Sequence, residues 1–218
     1  MQDQRGCFIT LEGLDGAGKS THAPWLVEEI RAHGLKVIST REPGGTALGE
    51  QLREILLHQS MHLKTETLLV FAARCEHVQT VIKPALASGS WVVCDRFTDA
   101  SYAYQGGGRE LGDANIAVLE QWVHPDLQPD RTWLFDVPLA VARERLAHTR
   151  DLDRFEREGA PFFERTRQAY HARVKQNSAR FRIVDSTLPI DVIRQELASQ
   201  VAALIKTYRH PRAPEQDR

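Results

Sequence analysis

Short apolar runs along the chain alternate with longer stretches in which apolar residues recur at helical spacing. The runs predict strands near 7–12, 36–40, 91–95, 132–137 and 181–185. The helical stretches fall near 19–33, 47–58, 64–88, 112–124, 138–148, 158–178 and 189–208. Alternation of this kind builds a parallel sheet with crossover helices, an α/β fold. Ligands of such sheets collect at the carboxyl ends of the strands. The polar residues that follow the runs are Asp15, Arg41-Glu42, Asp95-Arg96 and Asp185-Ser186, and they are expected to face one cleft. Pro24 lies in the second turn of the first helix, where its missing donor predicts a slight kink.

The turn between the first strand and the first helix sharpens the picture. Gly13-Leu-Asp-Gly-Ala-Gly-Lys-Ser20 matches G-x-x-x-x-G-K-[ST] in the strand–turn–helix context that the pattern needs. A chance glycine-rich turn would lack that context. Gly13, Gly16 and Gly18 allow successive backbone N–H groups to point inward and, with the helix N-terminus, to form a concave anion site. Lys19 would reach the β- and γ-phosphates of a nucleotide, and the Ser20 hydroxyl would hold the Mg²⁺ that bridges them. The chain is thereby expected to adopt a three-layer P-loop NTPase fold, a five-stranded parallel sheet flanked by helices, with a short lid.

At 218 residues the chain suits one such domain. Its 42% hydrophobic and 26% charged residues are ordinary for a soluble protein, and a net charge of -1 supplies no global field for nucleic acid or membrane. Any anion site must therefore be local. Cys7, Cys75 and Cys94 show neither a disulfide framework nor zinc spacing, and no apolar segment is long enough to cross a bilayer. Both point to the cytoplasm. The expected organisation is a single domain over 1–208, with a lid near 147–157, and a flexible polar tail over 209–218.

Two further constellations bear on chemistry. Asp95-Arg96 at a strand end reads either as a structural ion pair or, beside a phosphate loop, as a carboxylate for Mg²⁺ and a guanidinium bridging donor and acceptor phosphates. Thr40-Arg-Glu-Pro-Gly-Gly45 reads either as a mere turn with a solvated arginine or as a turn that aims Arg41 at the cleft as a bidentate phosphate donor. The segment 143–157 carries Arg143, Arg145, Arg150, Arg154 and Arg157. Taken alone it fits a solvated charged helix; beside a phosphate loop it reads as an arginine-bearing lid that excludes water and stabilises transferring charge.

Several motifs in order resemble the bacterial type of the thymidylate kinase family, from about residue 7 to 205. They are Glu12-Gly-Leu-Asp-Gly-Ala-Gly-Lys-Ser20, Thr40-Arg-Glu-Pro-Gly-Gly45, Phe71-Ala-Ala-Arg74, Val81-Ile-Lys-Pro-Ala-Leu86, Asp95-Arg-Phe97, Tyr102-Ala-Tyr-Gln-Gly-Gly-Gly-Arg109, Leu152-Asp-Arg-Phe-Glu156 and Phe162-Phe-Glu-Arg-Thr-Arg167. The resemblance implies transfer of the γ-phosphoryl group of ATP to dTMP, giving dTDP and ADP for dTTP synthesis, with Mg²⁺, in a cytoplasmic homodimer. It implies ATP contacts at Gly13, Leu14, Asp15, Gly16, Ala17, Gly18, Lys19, Ser20 and Thr21, and metal contacts at Ser20 and Asp95. For dTMP it implies Asp15 at the sugar 3′-hydroxyl and Arg41, Arg53 and Arg96 at the phosphate. Arg74 would meet a thymine carbonyl, Ser101 and Gln105 the base edge, and Tyr104 the sugar. The base-stacking aromatic is sought at Phe71, since the position four before the arginine, where many relatives carry it, is Val70 here. The usual Asp-Arg-Tyr reads Asp95-Arg96-Phe97. The phosphate loop contains no arginine, so the clamp on the transferring group is expected from the lid, from Arg154 first and Arg150 second, acting with Lys19, Arg96 and Asp15. The rival functions are another pyrimidine nucleoside-monophosphate kinase, for UMP, CMP or a broader set, and a P-loop protein without kinase activity.

Overall fold

In the computed structural model, which describes residues 5–146 and 153–209, five strands form one sheet: β1 (Phe8–Glu12), β2 (Val37–Arg41), β3 (Trp91–Asp95), β4 (Arg131–Asp136) and β5 (Phe181–Asp185). All pairings are parallel, in the order β2-β3-β1-β4-β5, and helices cover both faces. This is the expected P-loop NTPase architecture. The central strands are apolar on both faces because both are covered. Ile9 and Leu11 of β1 pack with Trp91, Val93, Trp133 and Phe135 against α1 (Lys19–Ala32) and α9 (Ile190–Arg209). Phe8, Val92 and Cys94 point the other way, toward Val78, Ile82 and Leu86.

The helix expected over 64–88 is divided. Helix α3 (Leu63–His77) widens into a π-helical segment (Val78–Ile82) before α4 (Lys83–Ala87). The cause lies at Pro84, which cannot donate to the preceding turn; the wider turn just before it already bonds the Lys83 N–H to the Val78 carbonyl. A second departure is the chain after β3, where α5 (Thr98–Ser101) and a π-helical segment (Tyr102–Gly108) pack against α8 (Ala160–Gln176). Close approach sets that geometry: a β-carbon on Gly107 would lie 2.6 Å from Ala169 Cβ, and one on Gly108 2.4 Å from Thr166 Oγ1. The remaining helices are α2 (Ala47–His58), α6 (Asp113–Val123) and α7 (Leu139–Leu146). α1 runs through Pro24 to Ala32. Of the expected lid, 147–152, including Arg150, lie outside the described residues; so do 210–218 of the expected tail.

Candidate active site

The phosphate loop leaves β1 and enters α1 through residues that tolerate no side chain. Gly13, Gly16 and Gly18 all have positive φ (134°, 78° and 92°). A β-carbon on Gly13 would come within 2.3 Å of the Phe135 carbonyl oxygen, and one on Gly16 within 2.4 Å of that of Ala142. Lys19 Nζ donates to the carbonyls of Gly13 and Leu14, both at 3.0 Å. Burial, and then repulsion from Arg96, pushes its pKa below the ordinary lysine value, against the pull of Asp95 and Asp15. Ser20 is exposed beside it.

Two adjoining cavities meet at this loop. The first is bordered by Gly16, Gly18, Lys19, Ser20, Thr21, Arg41, Asp95 and Arg145. The second is a slot lined by Val70, Arg74, Ser101, Tyr104, Gln105, Pro43 and Phe155. Asp15, Glu42, Arg53 and Arg96 line both.

Arg96 sits at the junction. Its backbone takes the left-handed conformation, φ 69°, uncommon for a residue with a β-carbon. The conformation is held by Arg96 N–H to the Leu11 carbonyl (2.9 Å) and Phe97 N–H to Glu12 Oε1 (2.7 Å). The side chain then donates to the Gly13 carbonyl (3.1 Å), Asp15 Oδ1 (2.7 Å) and the Tyr104 hydroxyl (3.0 Å), and Tyr104 donates to Asp15 Oδ2 (3.0 Å). Burial raises the Asp15 pKa, but Arg96, then Lys19 and the Tyr104 hydroxyl, bring it down to about 2. Asp15 is therefore an anion and an acceptor at neutral pH. Glu12, fully buried beneath, accepts from Tyr170 (2.8 Å), and desolvation with the nearby Asp99 charge pushes its pKa up to about 8.

In the slot, Arg74 is 2% exposed and lies over the Phe71 ring at 4.5 Å. It donates to Glu42 Oε2 (2.7 Å), Ser101 Oγ (3.0 Å) and the Phe97 carbonyl (3.2 Å), so one N–H on each terminal nitrogen remains for a ligand. Glu42 also contacts His77 Nδ1 at 2.9 Å, and His77 Nε2 contacts Thr40 Oγ1 at 2.6 Å. Gln105 donates from Nε2 to Glu66 Oε1 at 2.8 Å.

Most of the residues expected from sequence converge here, and three make contacts other than those expected. Phe71 lies beneath Arg74, packed with Tyr102 and Ile116, and Val70 is the residue of that pair on the slot wall. Arg41 points along the cleft edge into an exposed pair with Glu50, Nη2 to Oε2 2.7 Å. Arg154, expected as a phosphate clamp, is placed at the slot wall, between Asp153 and Phe155. Its Nη1 lies 2.7 Å from buried Glu66 Oε2, its Nε donates to the Leu56 carbonyl (3.0 Å) and its N–H to that of Leu57 (3.2 Å). A buried carboxylate without that partner would be costly, and it claims the guanidinium. Of the described arginines of 143–157, the one that reaches the phosphate loop is Arg145, which donates to the carbonyls of Gly16 (3.4 Å) and Ser186 (2.9 Å).

Glu66 was not singled out from sequence, and Glu42 and Arg145 were named there only as a strand-end residue and as one arginine of the 143–157 stretch. For Glu66 a signal existed: Glu66, Val70 and Arg74 repeat every fourth residue along α3, placing two charges on its buried stripe.

Asp95 bears on the metal. Its Oδ1 is buried without a hydrogen-bond partner while the residue lines the phosphate cleft with Ser20. Among the described residues no cluster of three or more metal-ligating side chains exists. That donor set suits Mg²⁺, which keeps water and phosphate ligands and takes few from protein.

Comparison with known proteins decides the family. The thymidylate kinase family model matches residues 11–197. The chain is 69% identical to the thymidylate kinase of Bordetella pertussis, over 92% of this chain and 97% of that one. It is 59% identical to that of Methylobacillus flagellatus, over 88% and 95%, and 58% identical to that of Cupriavidus metallidurans, over 92% and 100%. The chain belongs to the thymidylate kinase family. Within that family its phosphate loop carries no arginine; the described arginines bonded to the loop are Arg96 and, from the end of α7, Arg145.

Proposed function

We propose that this thymidylate kinase transfers the γ-phosphoryl group of ATP to dTMP in one in-line step. The observation that carries the reading is the meeting of a phosphate loop and a slot lined by Arg74, Ser101, Tyr104 and Gln105 at Arg96 and Asp15, which line both cavities. ATP lies along Gly13–Thr21 with Lys19 leaving the Gly13 and Leu14 carbonyls for the β- and γ-phosphates. The dTMP phosphate sits between Arg53, Arg96 and, once it leaves Glu50, Arg41. Asp15 accepts the sugar 3′-hydroxyl beside Tyr104. In the slot, Arg74 donates to a thymine carbonyl and Gln105 meets the N3–H.

A dTMP phosphate oxygen attacks the γ-phosphorus as the bond to the β–γ bridging oxygen breaks, and ADP leaves with that electron pair. A phosphate monoester, with its second pKa about 6, is already largely ionised at neutral pH, so no general base is needed. Lys19 and Arg96 stabilise the charge spread over the equatorial oxygens, assisted by Arg145 and by the expected lid arginine Arg150. Ser20, and Asp95 directly or through water, would hold Mg²⁺, which would supply neutralisation of phosphate charge.

The same reading takes 1–208 as one domain, with 147–157 closing as its lid, and places the enzyme in the cytoplasm. Three free cysteines, Cys7, Cys75 and Cys94, fit a reducing compartment, and no described helix is long and apolar enough to cross a membrane. Leu68 on α3 and Val118 and Trp122 on α6 are 54%, 69% and 79% exposed, a face suited to a second copy in a homodimer.

ADP release coupled to a panel of dTMP, dUMP, dCMP, UMP, CMP and dGMP tests the assignment. The reading requires dTMP to have the highest kcat/KM; equal use of dCMP refutes the base-slot assignment, and no turnover with any of the six refutes the kinase reading.

A further inference from the structure

Glu66 has an unusual position for a carboxylate. It lies in the first turn of α3, 1% exposed, and its two oxygens serve two different parts of the molecule. Oε1 accepts from Gln105 Nε2 (2.8 Å) in the slot. Oε2 accepts Arg154 Nη1 (2.7 Å) and faces Arg109 Nε (3.5 Å), and Arg109 is in turn bonded to Glu158. Arg154 belongs to the stretch whose Asp153 and Phe155 close the slot wall.

An ionised carboxylate only accepts hydrogen bonds. The end of the Gln105 amide that meets Glu66 must therefore be the NH₂ end, which leaves Oε1 as the end available to a base. A carbonyl acceptor there matches the N3–H of thymine and opposes the bare N3 of cytosine. Resting on the dTMP assignment above, we infer that Glu66 is a specificity-determining positioning residue: it fixes the orientation of the Gln105 amide, so that the slot reads a donor at N3, and through Arg154 it ties that orientation to the 153–158 segment.

The consequence of altering it follows from Arg154. An arginine is always a donor, so in Glu66→Gln the new amide oxygen is claimed by Arg154 and the new NH₂ faces Gln105. Gln105 then turns over, accepting through Oε1 and presenting Nε2 to the base. The preference at N3 shifts toward cytosine. Since an unmet buried polar group carries most of the discrimination, the ratio of kcat/KM for dTMP over dCMP should fall by about tenfold or more.

The experiment measures that ratio, with ATP saturating, in the wild type, Glu66→Gln, Gln105→Leu and the double variant. The expected result is a fall in the ratio for Glu66→Gln in the wild-type background and none in the Gln105→Leu background, because the effect passes through that amide. Should Glu66→Gln not fold, Glu66→Asp keeps the charge for Arg154 while drawing the carboxylate back from Gln105, and the ratio should fall there too. A folded Glu66 variant in which both substrates slow equally, or in which the ratio falls as far without Gln105, overturns the inference. A wild type that does not prefer dTMP fails the dTMP assignment itself, and is seen before any variant is compared.

Discussion

Replacing Glu42 with alanine separates a buried ion pair from an exposed one within the same motif. Glu42 and Arg74 are each 2% exposed at the side chain, with Nε to Oε2 2.7 Å, and His77 leans on the other oxygen. Removing one partner of such a pair leaves the other charge buried and uncompensated, which costs about 3–5 kcal/mol. Neighbouring Arg41 and Glu50 are 55% and 42% exposed, and an exposed pair is worth about 0–1 kcal/mol. For a domain of this size 1 kcal/mol moves Tm by about 2–4 °C. Glu42→Ala should therefore lower Tm by about 10 °C and Arg41→Ala by less than about 4 °C, followed by circular dichroism at neutral pH without ligand. Burial pushes the Glu42 pKa up, but Arg74 and His77 hold it below the ordinary carboxylate value. Its contribution is thus complete above the unfolded pKa of about 4.3 and is lost as pH falls through the lower folded value, so the difference between wild type and Glu42→Ala should shrink below about pH 4. Equal losses for the two variants, or a difference that grows in acid, would refute the argument.

Lys19→Ala should lower kcat by about 10²- to 10³-fold while the Kd for dTMP without ATP changes little, since Lys19 serves the donor phosphates; stopped-flow kinetics and calorimetry read the two quantities. Asp95→Asn should raise the Mg²⁺ concentration needed for half-maximal rate, because a neutral amide replaces the unpartnered carboxylate oxygen, and an unchanged requirement would remove Asp95 from the metal site. Glu12 titrates at about 8 in the folded protein, well above its unfolded value, so between about pH 4.3 and 8 the unfolded chain binds fewer protons and Glu12 works against stability as pH rises. Glu12→Gln should accordingly gain Tm relative to wild type from pH 5 to pH 8, and a constant difference across that range would show that Glu12 is ionised throughout.

The strands were legible because a parallel sheet buried on both faces writes itself as continuous apolar runs, and each observed strand lies within one residue of its expected position. The phosphate loop was legible because its glycines answer to local backbone constraints, at Gly13 and Gly16 reinforced by neighbours that leave no room for a β-carbon. Segment 98–108 was not, since it has no hydrophobic period and owes its shape to α8, which lies far along the chain. The same holds for the carboxylates. Glu66 acquires its meaning from Gln105 and Arg154, and nothing in the local sequence around Arg154 reveals that Leu56, Leu57 and Glu66 wait for it. A lid motif predicts an arginine; its partner is a tertiary fact.

The way the arginines are paired separates fixed from movable parts of the site. Arg74 and Arg154 are held by carboxylates that are almost fully buried, Glu42 and Glu66, and releasing either would leave a charge in the interior. Arg74 therefore stays in place whether or not substrate is present, which suits a slot that reads a base by shape and polarity, whereas Arg154 belongs to the segment proposed to close as the lid. Arg41 is held by an exposed Glu50, and Lys19 by two backbone carbonyls that carry no charge. Exchanging those partners for phosphate oxygens costs little and gains charge-assisted hydrogen bonds. Arg96 is intermediate: it remains on Asp15 and the Gly13 carbonyl while lining both cavities. In the proposed reaction the base reader is rigid, the phosphate donors are released by the phosphates themselves, and Arg96 with Asp15 forms the stationary point across which the phosphoryl group passes.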